Sequence, residues 1–402
     1  MSPAAIRTTF EFRIKPTRAQ EVRLRATLAA CRFVYNWALE DRRTLWQYCH
    51  VSTSFNDQSA YLKHLKEAHP WLTDVHAHPL QDALKRLDRS FERFFKAHPN
   101  GHGHPRFKGR HQYDSFTFKE WENGASFSGK RLFLSKIGRV RIVLHRPIVG
   151  QVKTCTIKHR ADGWVALFSV IQAPSWRSID ERDPVGIDVG LESFATLSTG
   201  EKIENPRVLR NSERELRIAQ RKVSRRKKGS GRRRKAVQHL RLVHLRIQRS
   251  RKSFHFTEAF RLAERFHPLF VEDLSIRNMV QNPKLAKSIS DASWGQFLGI
   301  LSRSAERAGG ATIAVEARGT SQECVCGEPV PKDLSVRIHR CPRCRLVEDR
   351  DVVSARLIQK RGLEALVAAP VGQVIERLRL GRPVGEGAGS NRRPRIREAA
   401  GL

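Results

Sequence analysis

Two kinds of metal-seeking side chain stand out in the second half of the chain. Cys324-x-Cys326 is followed by Cys341-x-x-Cys344. Four thiolates in two short turns suit tetrahedral zinc, and a four-ligand set with no open position is structural rather than catalytic. The first pair has one residue between its cysteines, fewer than the usual two to four. That leaves His339 as a substitute ligand, with the four-cysteine set preferred. The other kind is carboxylate. Asp188 ends an apolar run before a glycine turn in "GIDVGL", Glu272 ends "LFVE", and Asp351 opens "DVVSARLIQKRG", where its charge would also suit a helix N-terminus. Each acid alone reads as a capping or salt-bridge residue. Taken together in an α/β pattern, strand-end and helix-start carboxylates can converge at one edge of a sheet. Such a cluster repels itself unless cations neutralise it. Mg2+ prefers oxygen ligands, and two ions about 4 Å apart would activate water and stabilise the leaving oxygen in phosphodiester cleavage.

The charge balance points to the matching substrate. The 402 residues carry 75 Lys and Arg against 40 acidic residues, a formal net charge of +35, and such an excess signals a polyanionic partner. The densest basic run, "RRKKGSGRRRK", lies between Asp188 and Glu272. Its Arg225, Arg226, Lys227, Lys228, Arg232, Arg233 and Arg234 are expected to contact phosphates, a solvated face being the ordinary alternative for such a run. Seven cysteines, four of them clustered, in a chain without an apolar leader favour metal over disulfides and a reducing cytoplasm. The absence of any apolar run near 18 residues argues against a membrane span.

The elements that must position these groups follow from periodicity. "IRTTFEFRIK" alternates and reads as a strand. Pro16 ends it and Thr17 caps a helix that continues through Arg43. Residues 57–96 read as helical, with Leu80, Leu84, Leu87, Phe91, Phe94 and Phe95 on one apolar face. The histidines that follow, and His76 and His78, read as solvated loop residues rather than ligands. From Phe107 to Ser178 the period switches to two, and "SFTFKEW", "RLFLSKIGRVRIVL" and "VKTCTIKHRADGWVALFSVI" predict a small β-barrel or sheet. A hairpin around Asp188 comes next, then a long basic helical stretch broken at Gly229–Gly231. The strand "LFVE", the helix "SWGQFLGILSRSAER", the strand "ATIAVEA", the cysteine segment and a last helix complete this half. The stretch from 363 to 402 reads as a disordered tail.

"GIDVGL", "VEDLS", "SISDASWGQF", "TSQECVCG", "CPRC" and "DRDVVSA" together resemble TnpB, the transposon-encoded RNA-guided DNA endonuclease family related to type V CRISPR effectors. "ACRFVYNWAL" and "HPRFKGR" are similar to its N-terminal half, so the resemblance runs from Ile6 to about Ile358. It implies an α+β multidomain fold. A wedge-like β-barrel (1–31 and 104–183) would carry a helical recognition insert (32–103). A RuvC-like nuclease domain of RNase H fold (184–362) would follow, holding a basic helical insert (206–266) and a zinc finger (320–347). It implies a catalytic triad of Asp188, Glu272 and Asp351 holding Mg2+, with Asp349 next in line. It implies as partners a guide RNA from the transposon end and double-stranded target DNA, cut beside a short motif that the protein reads itself. Gln81, which opens the helix "LQDALKRLDRSFERFF", resembles the glutamine of the corresponding helix in the family and can pair with adenine in the major groove, a surface glutamine at a helix start being the ordinary alternative. Two departures are visible: Val353-Ser354 stands where the family often has Asn-Ala, and the first cysteine knuckle is short. A nuclease-inactive RNA-guided repressor, an RNA-independent resolvase-like nuclease and a transposase are the competing readings. The first would lack one of the acids, and all three are present.

Overall fold

The computed structural model describes residues 6–96, 103–110, 112–173, 182–333 and 336–368. They divide into two compact units, one ending at Ala173 and one following it.

The first unit opens with β1 (Ile6–Lys15), whose inward positions Phe10, Phe12 and Ile14 are buried, as period-two alternation requires. Pro16 interrupts the ladder, and Thr17 starts α1 (Arg18–Cys49) with a reciprocal cap. The Gln20 N–H donates to Thr17 Oγ1 (3.3 Å) while Gln20 Oε1 accepts from the Thr17 N–H (3.0 Å). Two further helices, α2 (Phe55–Ala68) and α3 (Ala77–Phe95), follow. Leu80, Leu84 and Leu87 of α3 are buried, as their spacing predicts. The apolar face stops short of its expected end, because Phe95 is 73% exposed and Phe94 is also exposed. The histidine reading needs correction: His76 Nδ1 accepts the His78 N–H at the start of α3 (3.2 Å), and the His78 ring is buried.

Six more strands complete the unit: β2 (Ser115–Phe118), β3 (Ala125–Ser128), β4 (Arg131–Leu134), β5 (Gly138–Val143), β6 (Gln151–Arg160) and β7 (Gly163–Gln172). The alternation did not single out β3. "RLFLSKIGRVRIVL" is two strands, β4 and β5, which pair with each other across a turn at Ser135–Ile137. The sheet is antiparallel in the order β2-β6-β7-β1-β5-β4-β3. It curls into a nearly closed, barrel-like form: Trp121 and Phe127, at the β3 end, pack their rings on Phe168 of the inner strand β7. The Trp121 N–H also donates to the Lys153 carbonyl of β6 (3.1 Å).

The second unit is built on β8 (Val185–Val189), β9 (Ser193–Leu197) and β10 (Lys202–Glu204), an antiparallel meander. A helical hairpin follows, α4 (Val208–Ser224) and α5 (Gly231–Arg265), held together by Ala219, Val243 and Ile247. Next come β11 (Leu269–Glu272), the short helices α6 (Ile276–Met279) and α7 (Ala286–Ala292), α8 (Trp294–Arg307) and β12 (Thr312–Val315). The cysteine segment contributes the hairpin β13 (Ile338–Arg340) and β14 (Val347–Asp349) and leads into α9 (Arg350–Val367). The main sheet has the order β10-β9-β8-β11-β12, with β8, β11 and β12 mutually parallel.

Two helical layers cover this sheet. Val185, Ile187, Leu269 and Val271 point to one face, into a core shared with Leu262 of α5 and Phe297 and Leu301 of α8. Phe270, Ile313 and Val315 pack with Ile358 of α9. Helix α9 lies very close to the strands. A Cβ on Gly186 would stand 2.0 Å from the Ala355 carbonyl oxygen, and one on Gly362 would stand 2.0 Å from the Phe270 ring. The helix continues to Val367, five residues into the stretch expected to be tail, because Leu366 still packs against this core. Residues 369–402 lie outside the described residues. Among the described residues no helix is long and apolar enough to cross a membrane.

Candidate active site

Strand register brings the first two acids together. Val271 of β11 faces Ile187 of parallel β8, so Glu272 and Asp188 are the next residue on each strand, at the same end of the sheet. Period-two alternation then puts Asp188 on the face of Gly186, and Glu272 on the face of Phe270. Both Gly186 and Phe270 lie against α9. Asp351 sits in the first turn of that helix. The three candidate acids therefore meet at one edge of one face.

Their electrostatics reflect this crowding. Burial, then the charges of Glu272 and Asp351, push the Asp188 carboxyl well above the usual carboxylate range, with Arg350 opposing. Burial likewise raises Glu272, against a hydrogen bond from Thr320 and the charge of Arg361. Asp351 is raised by burial and by Asp349, with Arg337 and Lys202 opposing. Each of the three carboxyls is thus raised, by burial first and, for Asp188 and Asp351, by neighbouring carboxylates as well.

Several supporting residues were not legible in the sequence. Thr320, buried, donates its hydroxyl to Glu272 Oε1 and also lies 3.0 Å from the Ala317 carbonyl. The "TSQECVCG" segment contains it, but no local pattern pairs a threonine with an acid 48 residues earlier. Arg337 ion-pairs with Glu192, and its Nη1 lies 3.8 Å from Asp351 Oδ2. The cap of the last helix also differs from expectation. Asp349, not Asp351, is the N-cap, accepting the N–H groups of Asp351 (2.9 Å) and Val352 (3.4 Å). Helix α9 starts at Arg350, so Asp351 is already inside it.

The four cysteines converge. Sγ of Cys324, Cys326, Cys341 and Cys344 all lie within 4.8 Å of one another, the one such metal-suited group among the described residues. Cys324 Sγ is 3.6 Å from Cys344 Sγ, and Cys326 Sγ is 3.6 Å from Cys341 Sγ. Four sulfurs at that spacing fit a tetrahedral zinc. His339 is not among them; its Nδ1 faces the Lys332 ammonium. The short first knuckle closes because the Gly327 N–H donates to the Cys324 carbonyl (2.9 Å), with Gly327 at φ +88°, a conformation open to glycine. The second knuckle is the β13–β14 turn, where the Cys344 N–H approaches Cys341 Sγ (3.5 Å).

The basic run forms the tip between α4 and α5. Arg225, Arg226, Lys227, Lys228, Arg232 and Arg234 are exposed and Arg233 is half-buried. None of the seven pairs with a carboxylate among the described residues. Ser230 caps α5, accepting the Arg233 N–H (3.1 Å). In the first unit, Gln81 stands in the second turn of α3 rather than opening it, and its Oε1 is buried without a partner.

A family model described as "Probable transposase" matches residues 176–283, and one described as "Cas12f1-like, TNB domain" matches 294–358. A model described as "Helix-turn-helix domain" matches residues 1–48, which here include strand β1 and most of the unbroken helix α1. A Streptomyces pristinaespiralis protein named "Putative RNA-guided DNA endonuclease" is 34% identical over 379 residues, covering 90% of each chain. The Escherichia coli K12 protein named "Putative RNA-guided DNA endonuclease InsQ" is 28% identical, covering 93% of this chain and 96% of its own. "TnpB-like protein L770" of Acanthamoeba polyphaga mimivirus is 24% identical over 54% of this chain and 45% of its own length. Among solved structures, the chain in a Cas12f1–sgRNA–target DNA complex shares the fold, with a TM-score of 0.53 at 10% identity, over 88% of this chain and 99% of that one. With a one-third-identical relative aligned along nine-tenths of its length, this chain belongs to the TnpB family.

Proposed function

We propose that the chain is an RNA-guided DNA endonuclease whose second unit is a RuvC-like nuclease domain of RNase H fold. It would use a guide RNA from a transposon end to cut double-stranded DNA beside a short motif. The observation that carries this is the meeting of Asp188, Glu272 and Asp351 at one edge of the mixed sheet. The sheet order, with an antiparallel meander followed by two parallel strands, supports the RNase H assignment. The names of the full-length relatives support the guide RNA and the DNA substrate.

In this reading Asp188, Glu272 and Asp351 hold two Mg2+ ions, which when bound supply the activated water and the stabilised leaving oxygen of phosphodiester hydrolysis. Thr320 orients the Glu272 carboxylate by donating to Oε1. The α4–α5 tip lends unpaired cations to the phosphate backbone. The first unit would act as the wedge and recognition module that reads the motif. The zinc knuckle fastens the hairpin from which α9 starts. The protein would work on DNA in the bacterial cytoplasm, at the nucleoid.

The test has two parts. RNA that co-purifies with the chain is sequenced, and the loaded complex is given DNA matching that guide. Site-specific cleavage that needs Mg2+ is expected, lost in Asp188→Ala, Glu272→Ala and Asp351→Ala with guided binding retained. Full cleavage by Asp351→Ala would remove that residue from the site.

A further inference from the structure

One residue separates Asp349 from Asp351, yet their surroundings differ. The two carboxylate oxygens of Asp349 have separate tasks. Oδ1 accepts the N–H groups of Asp351 and Val352, closing the first turn of α9. Oδ2 accepts from Lys202 Nζ at 2.6 Å, and Lys202 belongs to β10 at the edge of the main sheet. The two oxygens of Asp349 thus hold three donors between them, two on Oδ1 and one on Oδ2.

Asp349 is also the last residue of β14, opposite Ile338 of β13. The ladder continues one step further, where the Arg350 N–H donates to the Arg337 carbonyl (2.8 Å). The Arg350 guanidinium, buried, donates to the Asp333 carbonyl (2.7 Å). The backbone entering α9 is thus fixed by the zinc hairpin on one side, and by Lys202 of the main sheet on the other. Where these meet is the carboxylate of Asp349.

We propose that Asp349 is a positioning residue for the nuclease site. It pins the first turn of α9, and with it Asp351, to the main sheet and to the zinc hairpin, so that the three acids present a preformed divalent-cation site. The proposal rests on the reading of Asp188, Glu272 and Asp351 as Mg2+ ligands. A helix start that loses its cap frays in the first turn, and Asp351 is in that turn.

The experiment measures Mn2+ binding to the full-length, zinc-loaded, RNA-free chain by electron paramagnetic resonance. Mn2+ binding by the parent chain should disappear in Asp188→Ala. If it does not, the assignment of the acids fails, independently of Asp349. Asp349→Ala removes both tasks and should weaken Mn2+ binding about tenfold, the size of a lost N-cap. Asp349→Asn keeps a capping oxygen and should recover most of that affinity. In the guide-loaded complex, Asp349→Ala should need more Mg2+ for half-maximal cleavage, yet approach the parent rate at saturating Mg2+. A role in stability alone would lower the melting temperature and leave Mn2+ affinity unchanged, and that result in folded Asp349→Ala overturns the proposal. Equal loss in Asn and Ala would make Asp349 a ligand itself and overturn it too. Should Asp349→Ala not fold, Lys202→Met decides: it breaks the tie to β10 while leaving the cap, and unchanged Mn2+ affinity refutes the positioning role.

Discussion

Asp188 and Glu272 occupy the same register position near the ends of two neighbouring parallel strands, one step beyond the paired residues Ile187 and Val271. Parallel pairing places both carboxylates at one end of the sheet without any turn joining them. Gly186, two residues before Asp188, lets α9 approach closely enough for Asp351 to reach the same place. Cleavage of a phosphodiester bond by hard cations needs this kind of arrangement: oxygen donors from different elements, held by a sheet rather than by a loop.

Thr320 should prove necessary for the full strength of the site. Thr320→Val keeps the shape and removes the hydroxyl that donates to Glu272. A hydrogen bond to a charged group contributes about 1.5–3 kcal/mol, so divalent-ion affinity should fall roughly tenfold or more. Thr320→Ser should restore it. Calorimetric titration with Mn2+ checks both variants, and an unchanged affinity in Thr320→Val would assign the hydroxyl to the Ala317 carbonyl alone.

Metal analysis should return about one zinc per chain, held by Cys324, Cys326, Cys341 and Cys344. Because a zinc cluster and its local fold form together, removing zinc should expose the amides of β13, β14 and the first turn of α9 to hydrogen exchange. The first unit should be unaffected. A preparation that cuts DNA and holds no zinc would refute the assignment.

The seven basic residues of the α4–α5 tip should act through phosphates. Replacing Arg225, Arg226, Lys227 and Lys228 with Gln should weaken nucleic-acid binding equally for all sequences. It should also reduce the slope of log affinity against log salt by roughly 0.7–0.9 per lost phosphate contact. If the slope does not move, these side chains face solvent only.

The second unit should lose stability in acid through His267. Burial, aided by the nearby Arg182 charge, lowers this ring's pKa to about 4, and its Nδ1 accepts the Ala311 N–H at 3.2 Å. A histidine held neutral in this way contributes stability that is complete above its unfolded value, near 6.5, and is lost as pH falls through about 4. The loss should amount to about 2–3 kcal/mol across that window. Denaturant midpoints measured between those pH values should be flatter in His267→Gln; parallel slopes in the two proteins would absolve the histidine.

Gln81 is tested by cleavage of a library with randomised flanking sequence. If it reads a base pair, Gln81→Ala relaxes the preference at one position and leaves the others intact. Its buried, unpartnered Oε1 allows the opposite result, a packing role inside the first unit. In that case Gln81→Ala lowers the melting temperature and leaves the sequence preference unchanged.

Much of this architecture could be read from periodicity. Phe10, Phe12 and Ile14 alternate and are buried in β1. The apolar run before Glu272 ends where β11 ends, and the Thr17 cap stands where its residue type says it should. What periodicity lacked was long-range partnership. Nothing local ties Thr320 to Glu272, or Lys202 to Asp349. The choice of cap between Asp349 and Asp351 depends on where β14 releases the chain, a property of the hairpin rather than of either aspartate. Phe94 and Phe95 fit the helical spacing of α3 but lie past the end of the surface that the helix covers. Spacing reports a direction around the axis and says nothing of how far along it a neighbour extends.

The order of strands has a last consequence. Two antiparallel reversals make β10 run in the same sense as β8, β11 and β12. The basic hairpin therefore departs from the sheet at the end where the acids lie, and so does the cysteine segment after β12. Helix α5, 35 residues and so about 52 Å long, carries the chain back to the start of β11 at the far end. Both accessories are thus rooted at the end of the sheet that carries Asp188 and Glu272, while the strands themselves are short. Such a layout is modular: either accessory could be lengthened, shortened or exchanged to suit a different nucleic-acid scaffold, and the sheet that sets the spacing of the acids would not have to change.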